Sequence, residues 1–308
     1  MSRASRNRME GFWQLLLNGT ALGSIYALIA LGYTMVYGIL SLINFAHGDL
    51  VMVGAYAGLF ASLALGAAEH PSLGRFLLVL LIAMAASALL GLLIERFAYR
   101  PLRHVPRLNL LITAVGVSLL LENLGQVVFG ATPRVFPDIM PQFAVLQYGQ
   151  VAVTNQQIAV FGTALFLMVA LEWIVQKTQL GRAMRAVSYS HEAASLVGIP
   201  TDQVIAFTFA VGSALAAAAG ILVGISYPRV DPLMGVMIGM KAFVAAVLGG
   251  IGSIRGAVVG GFLMGITESM VVGYGSSTYR DAIAFVILIL ILLFKPAGLF
   301  GKYQPEKV

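Results

Sequence analysis

The polar run Asn44-Phe45-Ala46-His47-Gly48-Asp49 lies between two long apolar stretches, roughly Trp13 to Leu42 and Leu50 to Leu65. It concentrates an amide, an imidazole and a carboxylate, groups that hold a polar solute or pass a proton. A bilayer span needs about 20 apolar residues, so the flanking stretches place this run within or at the edge of a membrane. An ionisable side chain there costs about 2.5–3.5 kcal/mol on insertion scales, and non-helical backbone is tolerated only where protein or a wet cavity covers it. The run therefore predicts an internal turn or broken helix. The plainer alternative is a boundary loop in which Asn44 and Asp49 cap helices. A second glycine-bearing break, Gly249-Gly250-Ile251-Gly252-Ser253-Ile254-Arg255-Gly256, also separates apolar runs. Paired breaks in two halves of a chain point to a solute path in transporters. Gly38 to Gly58 and Lys241 to Gly261 are accordingly candidate halves of an internal duplication. Asn44, His47, Gly48, Asp49, Gly249, Gly250, Gly252 and Ser253 are the candidate path-lining residues.

The elements that must position these residues are apolar helices. The chain is 59% hydrophobic and only 10% charged, against about 25% charged in a soluble domain. It reads as one all-α domain over residues 1–308, a polytopic helical bundle of about eight to ten spans with broken or re-entrant helices. The net charge of +6 does not point to nucleic acid, because the basic residues cluster between spans as the positive-inside rule requires. No cysteine is present, which excludes disulfides and thiolate metal sites. The histidines, at 47, 70, 104 and 191, are far apart in sequence, and no metal site is expected.

After the first two stretches, apolar segments follow at about Arg75 to Ile94, Leu108 to Phe129, Gln157 to Val175, Val204 to Ile225, Gly235 to Leu248, Ala257 to Val272 and Ala282 to Phe294. Arg96, Arg100, Arg103 and Arg107 mark one cytoplasmic connection, and Lys177, Arg182 and Arg185 another. Gly130 to Gln156, with Pro133, Pro137 and Pro141, and Tyr227 to Pro232 read as external turns. Arg3, Arg6 and Arg8 precede an uncleaved first helix, and Lys295, Lys302 and Lys307 follow the last. Both termini are thus expected inside. That demands an even number of crossings, whereas the apolar segments number nine, so one segment is mis-split; the first 65 residues and the run ending at Leu248 are the candidates. The ladders Gly212/Ala216/Gly220/Gly224 and Gly252/Gly256/Gly260 predict close helix packing.

Enzyme signatures are missing. Gly250-x-Gly252 continues to Arg255 where a dinucleotide fingerprint needs glycine, and no Gly-x4-Gly-Lys-Ser/Thr phosphate loop occurs. Neither a His-Glu-x-x-His helix nor a Gly-x-Ser-x-Gly elbow is present. The chain is therefore not expected to split ATP, and ATP-driven transport would need a partner. Glu122, Glu172 and Glu268 with Lys241 form either a proton relay, as in a self-sufficient ion-coupled transporter, or ordinary span-end groups and ion pairs. In Gly181 to Pro200, apolar residues recur at helical spacing beside Arg182, Arg185, His191 and Glu192, which predicts short amphipathic helices suited to a cytoplasmic partner or to an interfacial connector.

Gly23-Ser24-Ile25-Tyr26-Ala27-Leu28-Ile29-Ala30-Leu31-Gly32-Tyr33-Thr34-Met35-Val36-Tyr37-Gly38, running into Ile43 to Asp49, resembles the permeases of high-affinity branched-chain amino acid ABC importers. The likeness continues through Ile94 to Pro101, Met240 to Phe243 and Ala246 to Ser253, and covers roughly Leu16 to Gly301. Within it, Glu192-Ala193-Ala194-x3-Gly198 resembles the loop by which importer permeases dock on their ATPases, although the Ile-x-Leu-Pro continuation is absent. The resemblance implies an inner-membrane, multi-pass, non-catalytic subunit in contact with lipid. It implies as partners a second related permease, two ABC ATPases carrying ATP and Mg, and an external solute-binding protein. It assigns Arg182, Arg185, Glu192, Ala193, Ala194 and Gly198 to docking. Urea or short amides are alternative substrates within the same family.

Overall fold

The computed structural model describes residues 3–103, 105–149 and 151–301; His104, Lys302 and Lys307 lie outside them. The chain is a helical bundle with one small hairpin. In order, the helices are α1 (Arg3–Leu40), α2 (His47–Ala64), α3 (Leu73–Ile94), α4 (Arg107–Phe129), α5 (Asn155–Lys177), α6 (Gln179–Tyr189), α7 (His191–Leu196), α8 (Thr201–Ser226), α9 (Met234–Gly249), α10 (Ile254–Tyr274) and α11 (Arg280–Phe294). Strands β1 (Ala144–Tyr148) and β2 (Val151–Thr154) pair antiparallel within the expected external loop. Among the described residues, 8 helices are long and apolar enough to cross a membrane, and α9, at 16 residues, is shorter.

Local chemistry sets the helix ends. Ser72 accepts from the Arg75 N–H to start α3, and Thr154 and Gln157 form a reciprocal capping box at α5, each satisfying backbone donors that a helix start leaves free. Beyond Ile94 the backbone widens into a π-helical turn, Glu95–Tyr99, and then tightens into a 3-10 turn, Arg100–Leu102. Pro101 cannot supply the N–H that a continuing α-helix needs. Arg103 pairs there with Glu95 and, at 2.6 Å, with Asp202 at the start of α8. The π-turn and the head of α8 are thereby fastened together.

Helices α1, α2 and α8 form the buried centre, whereas α4 and α11 are mostly exposed. Small residues let the central backbones touch, as expected from the ladders. A Cβ added at Gly220 would stand 2.2 Å from the Val51 carbonyl oxygen, and one at Gly260 would stand 2.0 Å from that of Ala245. Dispersion across such contacts replaces the hydrophobic drive that lipid does not supply.

The termini do not share a face. Near the start of α1, Gln14 accepts from the Ala152 N–H at 2.8 Å, and Asn18 accepts from Gln157 at 2.8 Å. That end of α1 therefore lies with the hairpin. At the other terminus, the Leu299 and Phe300 N–H groups bond to the carbonyls of Leu248 and Gly249 at the far end of α9. The expectation that both ends lie on one side, and with it an even number of crossings, is corrected; the two places named for a mis-split segment do depart from a simple span, since the chain breaks between α1 and α2 and the run ending at Leu248 is the short α9. The basic stretches around Arg100 and Arg182 outweigh the few arginines in the first turns of α1 in a rule that responds to overall bias.

Candidate functional site

Two helices begin in the middle of the bundle rather than at a face. Helix α1 ends at Leu40, Ser41 takes a left-handed φ of 50°, and residues 42–46 carry the chain back until α2 starts at His47. The His47 ring rests on Gly32 of α1, where an added Cβ would stand 2.3 Å away. Gly32 is 14 residues below Asn18, about 21 Å at 1.5 Å per residue, so α2 starts near mid-depth. Helix α9 starts at the same level. Gly235 and Gly239 pack directly on Gly48; a Cβ on Gly235 would meet the Gly48 carbonyl oxygen at 2.4 Å. From this junction α2 rises toward the hairpin face, where Tyr56 stacks on Phe129 at 4.2 Å. Helix α9 descends to the opposite face. The two starts have Ala46 and Leu233 at their N-caps and no side-chain cap, so neither Asn44 nor Asp49 serves as the cap of α2.

A cleft of about 220 Å³ opens at this junction. Its polar side is Asp49, Ser118 and Glu122, and its apolar side includes Phe45, Val115, Leu119, Val236 and Met240. Asp49, 1% exposed, accepts from the Ser118 hydroxyl at 2.5 Å, and the same hydroxyl is 3.5 Å from Glu122. Ser118 and Glu122 are four apart on α4, so they share a helix face. Such a cleft presents two carboxyl groups beside oily walls, with two helix starts that lack a side-chain cap at its floor.

The hexapeptide is therefore gathered at one place, with unequal exposure to the cleft. Gly48, Asp49 and Phe45 line it. Asn44 turns away, its Oδ1 accepting from the Tyr99 hydroxyl at 2.6 Å, and His47 is buried edge-on against Tyr33, 4.6 Å between centroids. Gly249, Gly250, Gly252 and Ser253 are not brought to this cleft. Gly249 is 14 residues along α9 from Gly235, again about 21 Å. These residues form the α9–α10 turn: Gly250 and Gly252 take φ of 103° and 92°, and Ser253 caps α10 by accepting from the Gly256 N–H at 3.1 Å. Ile251 reaches a crevice with Tyr37 and Ile43. What packs on Gly48 is instead the first turns of α9, at Gly235 and Gly239, while Val230, before α9, pairs with Arg134 of the external loop. Ser118 was missed by sequence reasoning; its spacing from Glu122 was the available signal.

The other intramembrane carboxylates are dispersed. Glu268 is buried and paired with Lys241 at 3.1 Å, while Glu172 meets Arg255 on an exposed surface at 3.4 Å. No chain of hydrogen bonds among the described residues joins either to Asp49, so a relay through all three is not formed.

On the face opposite the hairpin, α6 buries Gly181, Met184 and Val187 and exposes Arg182. Arg185 turns back to the Val175 carbonyl at the end of α5. Ser190 caps α7, where Ala194 is buried and Glu192 and Ala193 are exposed. Gly198 ends the segment with φ of 81°. Tyr189, Leu196 and Val197 stand 76–92% exposed beside it, an uncovered apolar patch of a kind that marks a contact surface.

The family described as branched-chain amino acid transport system, permease component, matches residues 15–292. The chain is 42% identical over 305 residues to the high-affinity branched-chain amino acid transport system permease protein LivH of Escherichia coli K12, covering 96% of this chain and 98% of that one. It is 41% identical over 304 residues to the corresponding protein BraD of Pseudomonas aeruginosa, with the same coverage. A match of this length, spanning both half-helices and the exposed α6–α7 segment, settles the relationship: the chain belongs to the family of permease components of branched-chain amino acid transport systems.

Proposed function

We propose that the chain is a permease subunit of an ATP-driven importer of branched-chain or closely related amino acids in the inner membrane. Its solute path runs through the cleft between α2, α4 and α9. The observation that carries this reading is the meeting of two uncapped helix starts at mid-depth beside Asp49 and Glu122. The positive ends of the two helix dipoles favour a solute carboxylate. The two side-chain carboxylates favour an ammonium, and Phe45, Val115, Leu119, Val236 and Met240 suit a branched apolar side chain. A neutral urea or amide would leave that negative charge unanswered.

Glu122 also bears on assembly. It lies on α4, most of which is exposed, and a carboxylate facing lipid is costly. A second, related permease covering α4 and α9 would enclose the cleft. The patch around Tyr189, Leu196 and Val197 would dock one of two ATPases, which carry the ATP and Mg; an external binding protein would deliver the solute.

The test is leucine uptake by the complete complex in liposomes, with binding protein and ATPases present. Asp49→Asn and Glu122→Gln are each expected to cut uptake at least tenfold with the complex intact. Unchanged uptake in both removes the cleft from the path. Uphill uptake by this subunit alone, without nucleotide, would replace the reading with an ion-coupled transporter.

A further inference from the structure

Helix α9 is held very differently on its two sides. Toward α2 the contact at the junction is backbone on backbone, Gly235 and Gly239 against Gly48. On its other side, Lys241 is buried, bonds to Glu268 of α10 at 3.1 Å and pairs with Asp281 of α11 at 2.6 Å. Glu268 also takes Arg280 and, at 2.8 Å, the Tyr26 hydroxyl of α1. Two cations and two anions thus meet in one cluster, buried at Lys241 and Glu268 and open to the surface at Arg280 and Asp281. At the lower end, the Leu299 and Phe300 N–H groups bond to the Leu248 and Gly249 carbonyls, each at 2.9 Å. Moving α9 relative to α10 and α11 would strand a lysine in an apolar interior, whereas parting it from α2 at the glycines breaks no ion pair.

The strap leading into α2 has the opposite character. Asn44 Nδ2, His47 Nε2 and, on adjacent α1, Thr34 Oγ1 are buried without hydrogen-bond partners. Buried polar atoms are normally satisfied, so this side of the junction holds groups that another arrangement or entering water would pair. We propose that Lys241 is a positioning residue that fixes α9 to α10 and α11, and that the cleft opens by parting α2 from α9 while α9, α10, α11 and residues 297–301 travel as one body. This rests on the cleft being the solute path.

The chain lacks cysteine, so introduced pairs report cleanly. Ile43→Cys with Phe243→Cys, in a crevice between the strap and α9 that lies outside the cleft, spans the proposed parting line, and Leu248→Cys with Leu299→Cys spans the proposed rigid junction. In the complete complex, a short reducible bis-methanethiosulfonate cross-linker is expected to abolish leucine uptake reversibly through the first pair. Through the second it should leave uptake within about twofold, since positions already fixed lose no motion. Lys241→Met should lower leucine moved per ATP hydrolysed at least fivefold without reducing the yield of complex, and Lys241→Arg should restore it. Loss of uptake through the second pair, or an unaltered ratio in Lys241→Met, overturns the proposal. So does free uptake through the first pair. If Asp49→Asn still abolishes transport in that last case, the path survives and only the parting line is wrong; if it does not, the path reading falls as well.

Discussion

Asp49 shows how much a single polar group inside a bundle depends on its neighbours. Its carboxylate is buried, bonded to Ser118 and close to Glu122, so removing the Ser118 hydroxyl alone deprives it of a donor. Ser118→Ala is expected to lower leucine uptake less than Asp49→Asn does, because the charge persists; an equal loss would mean that the hydroxyl itself meets the solute. Glycines 48 and 235 are as exacting for a steric reason. Gly235→Ala drives a Cβ to within 2.4 Å of the Gly48 carbonyl, and overpacking of this kind costs about 1–3 kcal/mol. The expected result is a lowered unfolding temperature and reduced uptake. An unchanged temperature would show that the half-helices already separate freely. In the charge cluster, Glu268→Ala leaves both Lys241 and Arg280 without their shared partner, and breaking a buried pair in this way costs about 3–5 kcal/mol. Lys241→Met costs less, since Glu268 keeps Arg280 and Tyr26. Thermal unfolding of the two variants should rank them in that order.

At the scale of elements, α7 carries the clearest division between packing and contact. Ala194 anchors it, while Leu196 and Val197 on the same segment face outward. Leu196→Asp with Val197→Asp should prevent ATPase co-purification and leave the subunit's own stability within about 0.5 kcal/mol, as exposed substitutions generally do. Retention of the ATPase would move the docking surface elsewhere. This segment was legible in the sequence because its amphipathic spacing is local. The pairing of breaks was not. Both Asn44–Asp49 and Gly249–Gly256 interrupt apolar runs with glycine and polar residues, yet only the first lies at mid-depth. The second is a tight turn at a face, and what meets the first is the start of α9, Gly235 and Gly239, which reads in sequence as ordinary apolar helix. Depth in the membrane follows from where a helix begins relative to its neighbours, which composition does not encode.

For the whole molecule, the placement of the termini on opposite faces is directly testable. In intact cells, a membrane-impermeant maleimide should label Met9→Cys and Gln142→Cys, both on the hairpin face, but not Leu196→Cys until the membrane is opened. Labelling of Met9→Cys only after permeabilisation would restore an even number of crossings and contradict the contacts of Gln14 and Asn18 with the hairpin side.

The amino-acid sequence by itself determined the class of the protein, most helix positions within a few residues, and the singular nature of Asn44–Asp49. Each of these depends on local hydropathy, on capping chemistry, or on the cost of polar groups in an apolar run. Only the tertiary structure decided that Ser118 and Glu122 stand beside Asp49, that α9 begins against Gly48, and that Lys241 and Glu268 pair with each other. Those facts arise from contacts between residues tens to hundreds of positions apart, made possible where glycines let backbones approach, and no short-range pattern in the chain specifies which glycine meets which.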